Sequence, residues 1–278
     1  MEPLVSVVVP VFNGMPYLPD LVASLLRQTH QDFEIIFSEG GGTDGSLDYL
    51  SGLTDPRIRI IQLEEGTGAA ANWTAVSSAA TGQFTKLICQ DDLLAPTALE
   101  HQLADLQAHP SAVLAIGQRD IIDAYGKRLY AKRGLAGLSP GLLKGEAVIK
   151  ECFLRGTNVL GEPLAVLFRT SALREALPWQ DENPLMLDLS MYSKVAPQGD
   201  VIARMESVGA FRVSSSSWST KLARLQLEQT KSWQETYAES SVIPISAMER
   251  KRAAIGRVTQ VNLRRAAYMV LKARGSLN

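Results

Sequence analysis

Cysteine and histidine are scarce in this chain, and neither is spaced to hold a metal. The two cysteines, Cys89 and Cys152, and the three histidines, His30, His101 and His109, stand in unrelated contexts along 278 residues. No Cys-x-x-Cys or Cys/His pattern occurs, which excludes a zinc-stapled or disulfide-framed fold. Long apolar runs are missing as well. The opening run over 4–12 falls far short of the ~20 residues of a membrane span and lacks the basic flank of a signal peptide, so a cytoplasmic protein is expected. Neither GxxxxGK[ST] nor GxGxxG is present, so any nucleotide would have to be held without a P-loop or a dinucleotide fingerprint. Net charge is nearly absent, at −1, but that average hides an imbalance. Residues 219–278 carry eleven Lys/Arg against four Glu, a surplus of +7, which leaves the rest of the chain acidic. Such a segment suits an anionic membrane surface, a nucleic acid, or an acidic face of the protein itself.

What is present is enough apolar residue for a full core, 46% against 21% charged, in a chain long enough for one large domain or one and a half. Strand-like and helix-like segments alternate from the start. Residues 5–9, 33–38, 58–63 and 84–88 read as strands, with 17–27, 46–53 and 69–80 as the helices between them. Val5-Ser6-Val7-Val8-Val9 and Phe33-Glu34-Ile35-Ile36-Phe37 are apolar on both faces, as parallel strands covered by helices require. A helix over 97–108 and a strand over 112–116 complete a doubly wound half. Beyond 117 the rhythm is irregular: a hairpin over 121–132, a helix over 145–154, a strand over 165–168, a helix over 188–195 and a last strand over 208–213. After Ser214-Ser215-Ser216-Ser217, residues 219–239 and 246–273 read as two helices rich in Arg, Lys, Gln and Ala. The expected organisation is a main domain over 1–218, with halves 1–117 and 118–218, and a basic helical extension over 219–278.

In doubly wound sheets ligands collect at the carboxyl ends of the strands. Three such ends carry polar or glycine-rich loops: Pro10-Val11-Phe12-Asn13-Gly14, Glu39-Gly40-Gly41-Gly42-Thr43-Asp44-Gly45, and Cys89-Gln90-Asp91-Asp92. Brought to one crevice, the glycine run would let backbone amides approach a nucleotide without side-chain obstruction. Two adjacent carboxylates at a strand end suit a hard cation such as Mg²⁺, which takes carboxylate, water and phosphate oxygens. An Asp pair before Pro96 is equally an ordinary helix N-cap.

These three loops, in this order, resemble the family-2 glycosyltransferases of the GT-A fold, inverting enzymes that use nucleotide-diphosphate sugars, over residues 4–217. The resemblance implies an α/β fold with a Rossmann-like, mostly parallel sheet flanked by helices. In that family the first turn holds nucleobase and ribose, which places Pro10, Phe12 and Asn13 at the donor. The second loop resembles the acidic D-G-G-S-T-D-G turn, with Glu39 where an Asp contacts the base; an exposed turn carboxylate is the plain alternative. Against the Asp-x-Asp metal motif, Cys89 stands at the first Asp, Gln90 in the middle and Asp91 at the second. Asp91, with Asp92 beside it, is thereby implied as the ligand of Mg²⁺ or Mn²⁺ at the diphosphate, with Gln90 replacing part of the missing contact. Cys89 is too soft a ligand for Mg²⁺ and reads as a buried core thiol. Gly66 to Trp73 resembles a segment ending in an Asn at a helix start, so Asn72 is a donor contact or a helix cap, and Trp73 is core.

Inverting transfer needs a carboxylate to deprotonate the acceptor hydroxyl on the face opposite the leaving group. The family's Glu-Asp-x-Asp-Leu-Trp-Leu-Arg helix matches the frame from Leu187 to Lys194, which makes Asp188 the base, with Leu187 and Ser190 where the family has acids. An apolar neighbour would raise the pKa of Asp188; an Asp serving the helix dipole is the alternative. Gly156 to Pro163 resembles the loop preceding the base, with Glu162 at the acceptor. Arg212, in a resembling terminal strand, reaches the diphosphate or makes a surface salt bridge. The Gln-x-x-Arg-Trp motif of processive synthases is absent. The expectation is an inverting, metal-dependent, non-processive glycosyltransferase moving one sugar from a nucleotide-diphosphate donor to a glycan or lipid-linked acceptor in bacterial surface polysaccharide biosynthesis. No nucleic acid is expected as partner, and residues 219–278 would tether the protein to the inner membrane leaflet or pair it in a homodimer. The departures at Cys89 and Leu187 leave a second reading, a catalytically weak or inactive transferase-like protein that binds nucleotide or glycan.

Overall fold

A computed structural model describes residues 3–180, 182–215, 225–273 and 275–276. The expected domain boundary at residue 218 and the first residues of the extension lie outside the described residues. The opening strand β1 (Val5–Val11) is buried at every position because helices cover both faces of the sheet, which is why its sequence lacks polar alternation. Around it stand β2 (Phe33–Glu39), β3 (Ile58–Gln62) and β4 (Phe84–Leu87), all parallel, joined by helices α1 (Leu18–Leu26), α2 (Ser46–Ser51) and α3 (Ala69–Ser78). The remaining strands are β5 (Leu93–Leu94), β6 (Ala112–Ile122), β7 (Arg128–Arg133), β8 (Gly141–Lys144), β9 (Val166–Arg169) and β10 (Asp200–Arg212). The sheet order is β3-β2-β1-β4-β9-β6-β10-β5, with β7 on β6 and β8 on β10. β9, from beyond residue 117, lies antiparallel between β4 and β6, so both sequence halves share one sheet.

Helices α4 (Ala98–Ala108), α5 (Gly145–Arg155), α6 (Thr170–Ala176) and α7 (Leu187–Val195) pack around this sheet. Two more, α8 (Gln226–Ser240) and α9 (Ala247–Ala273), belong to the basic segment and share its core. Trp233 and Tyr237 of α8 stack at 5.6 Å, Tyr237 meets Phe153, and the Trp233 indole N–H donates to Ser193. α9 crosses α5 backbone to backbone at two glycines. A Cβ on Gly256 would lie 2.6 Å from the Leu154 carbonyl, and Gly156 faces the Arg257 backbone. Farther along, Leu271 closes a small apolar cluster with Val213. Among the described residues no helix is long and apolar enough to cross a membrane.

The strand expected over 112–116 runs six residues further as β6, and of the helix expected over 219–239 residues 219–224 lie outside the described residues. The other expected elements are present with ends shifted by a residue or two, except at four places. β5, β8 and α6 are absent from the sequence reading because segments of two to seven residues carry too little periodicity to register. β10 begins eight residues earlier than expected, since register shifts against β6 break its alternation.

Gly145 opens α5 against the turn that follows α7. A Cβ there would lie 2.7 Å from the Gly199 carbonyl and closer still to that of Ala196. Gly145→Ala is expected to destabilise the fold by about 2–3 kcal/mol. Differential scanning calorimetry should show this as a Tm lower by about 5–10 °C.

Candidate active site

Three loops meet at the carboxyl ends of β1, β2 and β4, and side-chain amides tie them together. The Gln90 carboxamide accepts from Phe12 N–H at 2.8 Å and donates to the Phe12 carbonyl at 2.9 Å. Asn72 donates to the Val11 carbonyl at 3.0 Å while its own oxygen accepts from the Ser38 hydroxyl. Asn13, at φ 50°, accepts from Thr43 N–H at 2.9 Å. A turn that must hold such a left-handed residue tolerates Asn better than most. Gln90 and Asn72 are thus fastened to backbone and set the shape of the loops around them.

The glycine run has a different use from the one its sequence suggested. The amides of Gly41 and Gly42 donate to the Glu39 carboxylate at 3.0 and 2.7 Å, so they face inward rather than toward a ligand. Glu39 is buried, not an exposed turn carboxylate. Side chains are excluded by crowding: a Cβ on Gly40 would lie 2.9 Å from Asn72 Nδ2, and one on Gly41 2.7 Å from Glu65 Cα. Beside these loops opens a cleft of about 530 Å³, bounded by Phe12, Asn13, Thr43, Asn72 and the 65–69 segment. Phe12 is 53% exposed at its edge. Pro10 is buried under it in β1.

The acidic turn is held from the far end of the sheet. β5 pairs antiparallel with β10, which sets Asp92 against Arg212, and Asp92 Oδ1 accepts the Arg212 N–H at 3.0 Å. The buried Arg212 guanidinium donates to the carbonyls of Asp91 at 2.8 Å and Ala124 at 3.2 Å, and pairs with Asp20 at 3.2 Å. It lies 4.6 Å over the Tyr17 ring. Arg212 is therefore no surface salt bridge. Asp92 is fully buried, with Oδ2 lacking a hydrogen-bond partner among the described residues. Burial first, and then the Asp91 charge, push its carboxyl well above the usual range. Cys89 is half-buried rather than a core thiol. Burial, and then the carboxylates of Asp92, Asp91, Asp188 and Glu162, hold it well above the usual thiol range, so it stands as a neutral thiol.

Across this turn lies the second acidic group. Asp188, half-buried in the first turn of α7, accepts from Asn158 Nδ2 at 2.9 Å and from Leu189 N–H at 2.6 Å. Burial and the neighbouring Glu162 charge raise it to about 6 against those hydrogen bonds. Glu162 is gripped in bidentate fashion by Arg119, with Nη2 to Oε1 at 2.9 Å. Burial pushes Glu162 up, but the Arg119 charge and hydrogen bonds outweigh it and hold the carboxyl below its ordinary value. The Tyr192 hydroxyl, one turn along α7 from Asp188, is buried without a partner among the described residues. Arg264 of α9 is close enough to lower both Glu162 and Asp188. Arg119, Asn158, Tyr192 and Arg264 escape assignment from the sequence, because each belongs to the site only through a contact with a residue far along the chain.

Among the described residues no three His, Cys, Asp or Glu side chains are grouped to enclose a metal ion. A Mg²⁺ or Mn²⁺ ion carried by one or two carboxylates and by phosphate oxygens needs no such cage. The half-buried Asp91 and the unpartnered Oδ2 of Asp92 offer hard oxygen ligands of that kind, although Asp92 is enclosed. The residues present therefore fit such an ion with a diphosphate as co-ligand.

Residues 6–174 match the family model described as Glycosyl transferase family 2. TuaG of Bacillus subtilis (strain 168), whose name places it in teichuronic acid biosynthesis, is 36% identical over 104 residues, 37% of this chain and 41% of TuaG. Glycosyltransferase GlyG of Streptococcus pneumoniae serotype 4 is 32% identical over 116 residues, 41% of this chain and 38% of GlyG. The chain thus matches about two fifths of the length of these relatives. Among solved structures, S. aureus TarS 1-349 superposes with a TM-score of 0.66 at 14% identity, over 93% of this chain and 71% of that one. Mannosyltransferase PcManGT from Pyrobaculum calidifontis, in complex with GDP-Man and Mn²⁺, superposes at 0.59 with 15% identity, over 99% of this chain and 80% of that one. At those identities the likeness shows the shared fold, the GT-A type of α/β sheet.

The Asn158 hydrogen bond favours the charged form of Asp188. In carbon-detected NMR titration the Asp188 carboxyl should show a midpoint of about 6. Asn158→Ala should move that midpoint upward by about half a pH unit or more.

Proposed function

Because the chain belongs to glycosyl transferase family 2, we propose that it moves a single sugar from a nucleotide-diphosphate donor to a glycan or lipid-linked acceptor, with inversion and without processive polymerisation. The observation that carries this reading is the convergence, at one end of one sheet, of the Phe12 cleft, the Asp91 carboxylate and a second carboxylate, Asp188, raised to about 6. Polysaccharide biosynthesis is supported by the name of TuaG, and a nucleotide-sugar donor by the TarS structures in complex with UDP and UDP-GlcNAc and by PcManGT with GDP-Man. We place the reaction in the cytoplasm.

In this reading the exposed Phe12 ring stacks on the nucleobase, while Pro10, Asn13 and Glu39 shape the pocket around base and ribose. Asn72 and Gln90 keep the loops at the spacing a nucleotide needs, and Arg212 holds the acidic turn against the diphosphate. A divalent cation at Asp91, with Asp92 behind it, would neutralise charge developing on the departing nucleoside diphosphate. Asp188 takes the proton of the acceptor hydroxyl as that oxygen bonds to the anomeric carbon and the bond to the diphosphate oxygen breaks. A carboxylate near 6 is a stronger base than an ordinary Asp and still ionised at neutral pH. Glu162, oriented by Arg119, faces the acceptor.

A second reading, nucleotide binding without catalysis, is favoured by one observation, the neutral Cys89 thiol where the family carries an Asp. Two experiments separate them. In a thermal-shift panel of UDP, dTDP, GDP and CMP with Mn²⁺, Mg²⁺ or EDTA, one diphosphate should raise Tm only with metal, and Asp91→Ala should abolish the rise. Absence of any shift would remove the donor site. With the nucleotide so named, transfer should fall by about a thousandfold or more in Asp188→Asn while the nucleotide-induced Tm shift persists. Residual transfer unaffected by Asp188→Asn would dismiss it as the base. Because only ionised Asp188 accepts a proton, kcat/KM should climb with pH up to about 6 and level off above it.

A further inference from the structure

The long helix α9 is apolar on two faces. One side, with Ala253, Val261 and Leu271, is buried against the body. The opposite side carries Met248, Ile255, Val258, Leu263, Met269 and Val270, which are 44–80% exposed. At 100° per residue they fall within an arc of about 140° on the side of the helix opposite the buried residues. Six large apolar side chains exposed on one side of a single helix exceed the scattered single residues of an ordinary surface. The same side is basic. α9 holds seven Lys/Arg and a single acid, Glu249, which is already paired with Lys150 at 2.8 Å. Lys251 and Arg252 are exposed within the same arc, and Arg265 and Lys272 are exposed along one edge of it.

We propose that this outer face of α9 docks on an anionic lipid bilayer, with its apolar side chains at the acyl boundary and the long cationic side chains among and beside them reaching to the headgroups. Charge decides between the occupants. A second copy would bring another α9 with the same surplus of cations, and like charges would oppose the apolar contact. An anionic bilayer offers both an apolar layer and negative charge, the pairing that interfacial basic helices match. The contact also gives the acceptor a direction. Arg264, on the buried side of α9, is close enough to Asp188 and Glu162 to lower both. The bilayer would therefore lie on the far side of α9 from these two carboxylates, where a lipid-linked acceptor presents its glycan. This last point rests on the transferase reading; the docking itself does not.

Co-sedimentation of the full chain with vesicles, without substrate, tests it. The chain should bind vesicles of phosphatidylcholine containing about one third phosphatidylglycerol and release from them as salt rises from about 0.1 to about 0.5 M. Binding to pure phosphatidylcholine should be weaker by tenfold or more. The variant Leu263→Gln/Met269→Gln/Val270→Gln should lose about tenfold or more in partitioning. The variant Lys251→Gln/Arg252→Gln/Arg265→Gln/Lys272→Gln should lose about a hundredfold. All seven side chains are exposed or flank solvent, and an unchanged Tm shows that both variants fold. No binding of wild type to anionic vesicles would overturn the proposal, as would equal binding by wild type and both variants. So would a vesicle-free dimer, seen by light scattering and dissolved by the first variant, which would assign the face to a second copy. None of these readouts requires transfer, so a failed membrane contact and a failed donor site remain distinguishable.

Discussion

The buried guanidinium of Arg212 is the tie on which the arrangement of the site depends. It closes the last strand of the sheet onto the Asp91-Asp92 turn, more than a hundred residues earlier in sequence, by donating to the Asp91 carbonyl, while the backbone N–H of the same residue donates to the Asp92 carboxyl. The same side chain lies over Tyr17 and reaches Asp20, which anchors it to α1 as well. A desolvated cation is costly unless its donors are all occupied, so a geometry that satisfies it is held tightly. The acidic turn therefore has a fixed position before any ligand arrives.

Around that turn the protein concentrates negative charge and balances it unevenly. Arg119 grips Glu162 and keeps it ionised, whereas Asp188 has only neutral hydrogen-bond donors and is pushed upward. Two carboxyl groups in one region thus acquire opposite tendencies from their partners. One carboxyl that titrates near 6 beside one held ionised follows from this division. Cys89, among the same carboxylates, stays protonated for the same electrostatic reason.

The parallel core was legible because β1 and β2 are apolar on both faces and the helices between them keep their own periodicity. The short pieces β5 and β8 were not, although β5 positions the acidic turn, because two to four residues carry no period. Loop chemistry was legible as composition but not as direction. Glycines at 40–42 are required by crowding against Asn72, Glu65 and Asn13, and their amides turn inward, that of Gly40 to the Val11 carbonyl and those of Gly41 and Gly42 to Glu39. The basic surplus over 219–278 was visible as a count. That α9 carries it with one side open, while α8 sends Trp233 and Tyr237 into the core, was not.

The amino-acid sequence by itself determined the alternation of strands and helices and the three polar loops that lie at one end of the sheet, while Asp91 and Asp188 were singled out as candidates by resemblance to a family. The alternation and the loops are local properties, set by side-chain period and by the residues at strand ends. Only the tertiary structure decided which polar groups are occupied: Gln90 and Asn72 on backbone, Glu162 on Arg119, Arg212 on the acidic turn, Asp188 with Asn158. The reason is physical. Burial and partnership depend on residues brought together from 30 to more than 100 positions apart, and those contacts exist only once the chain has folded.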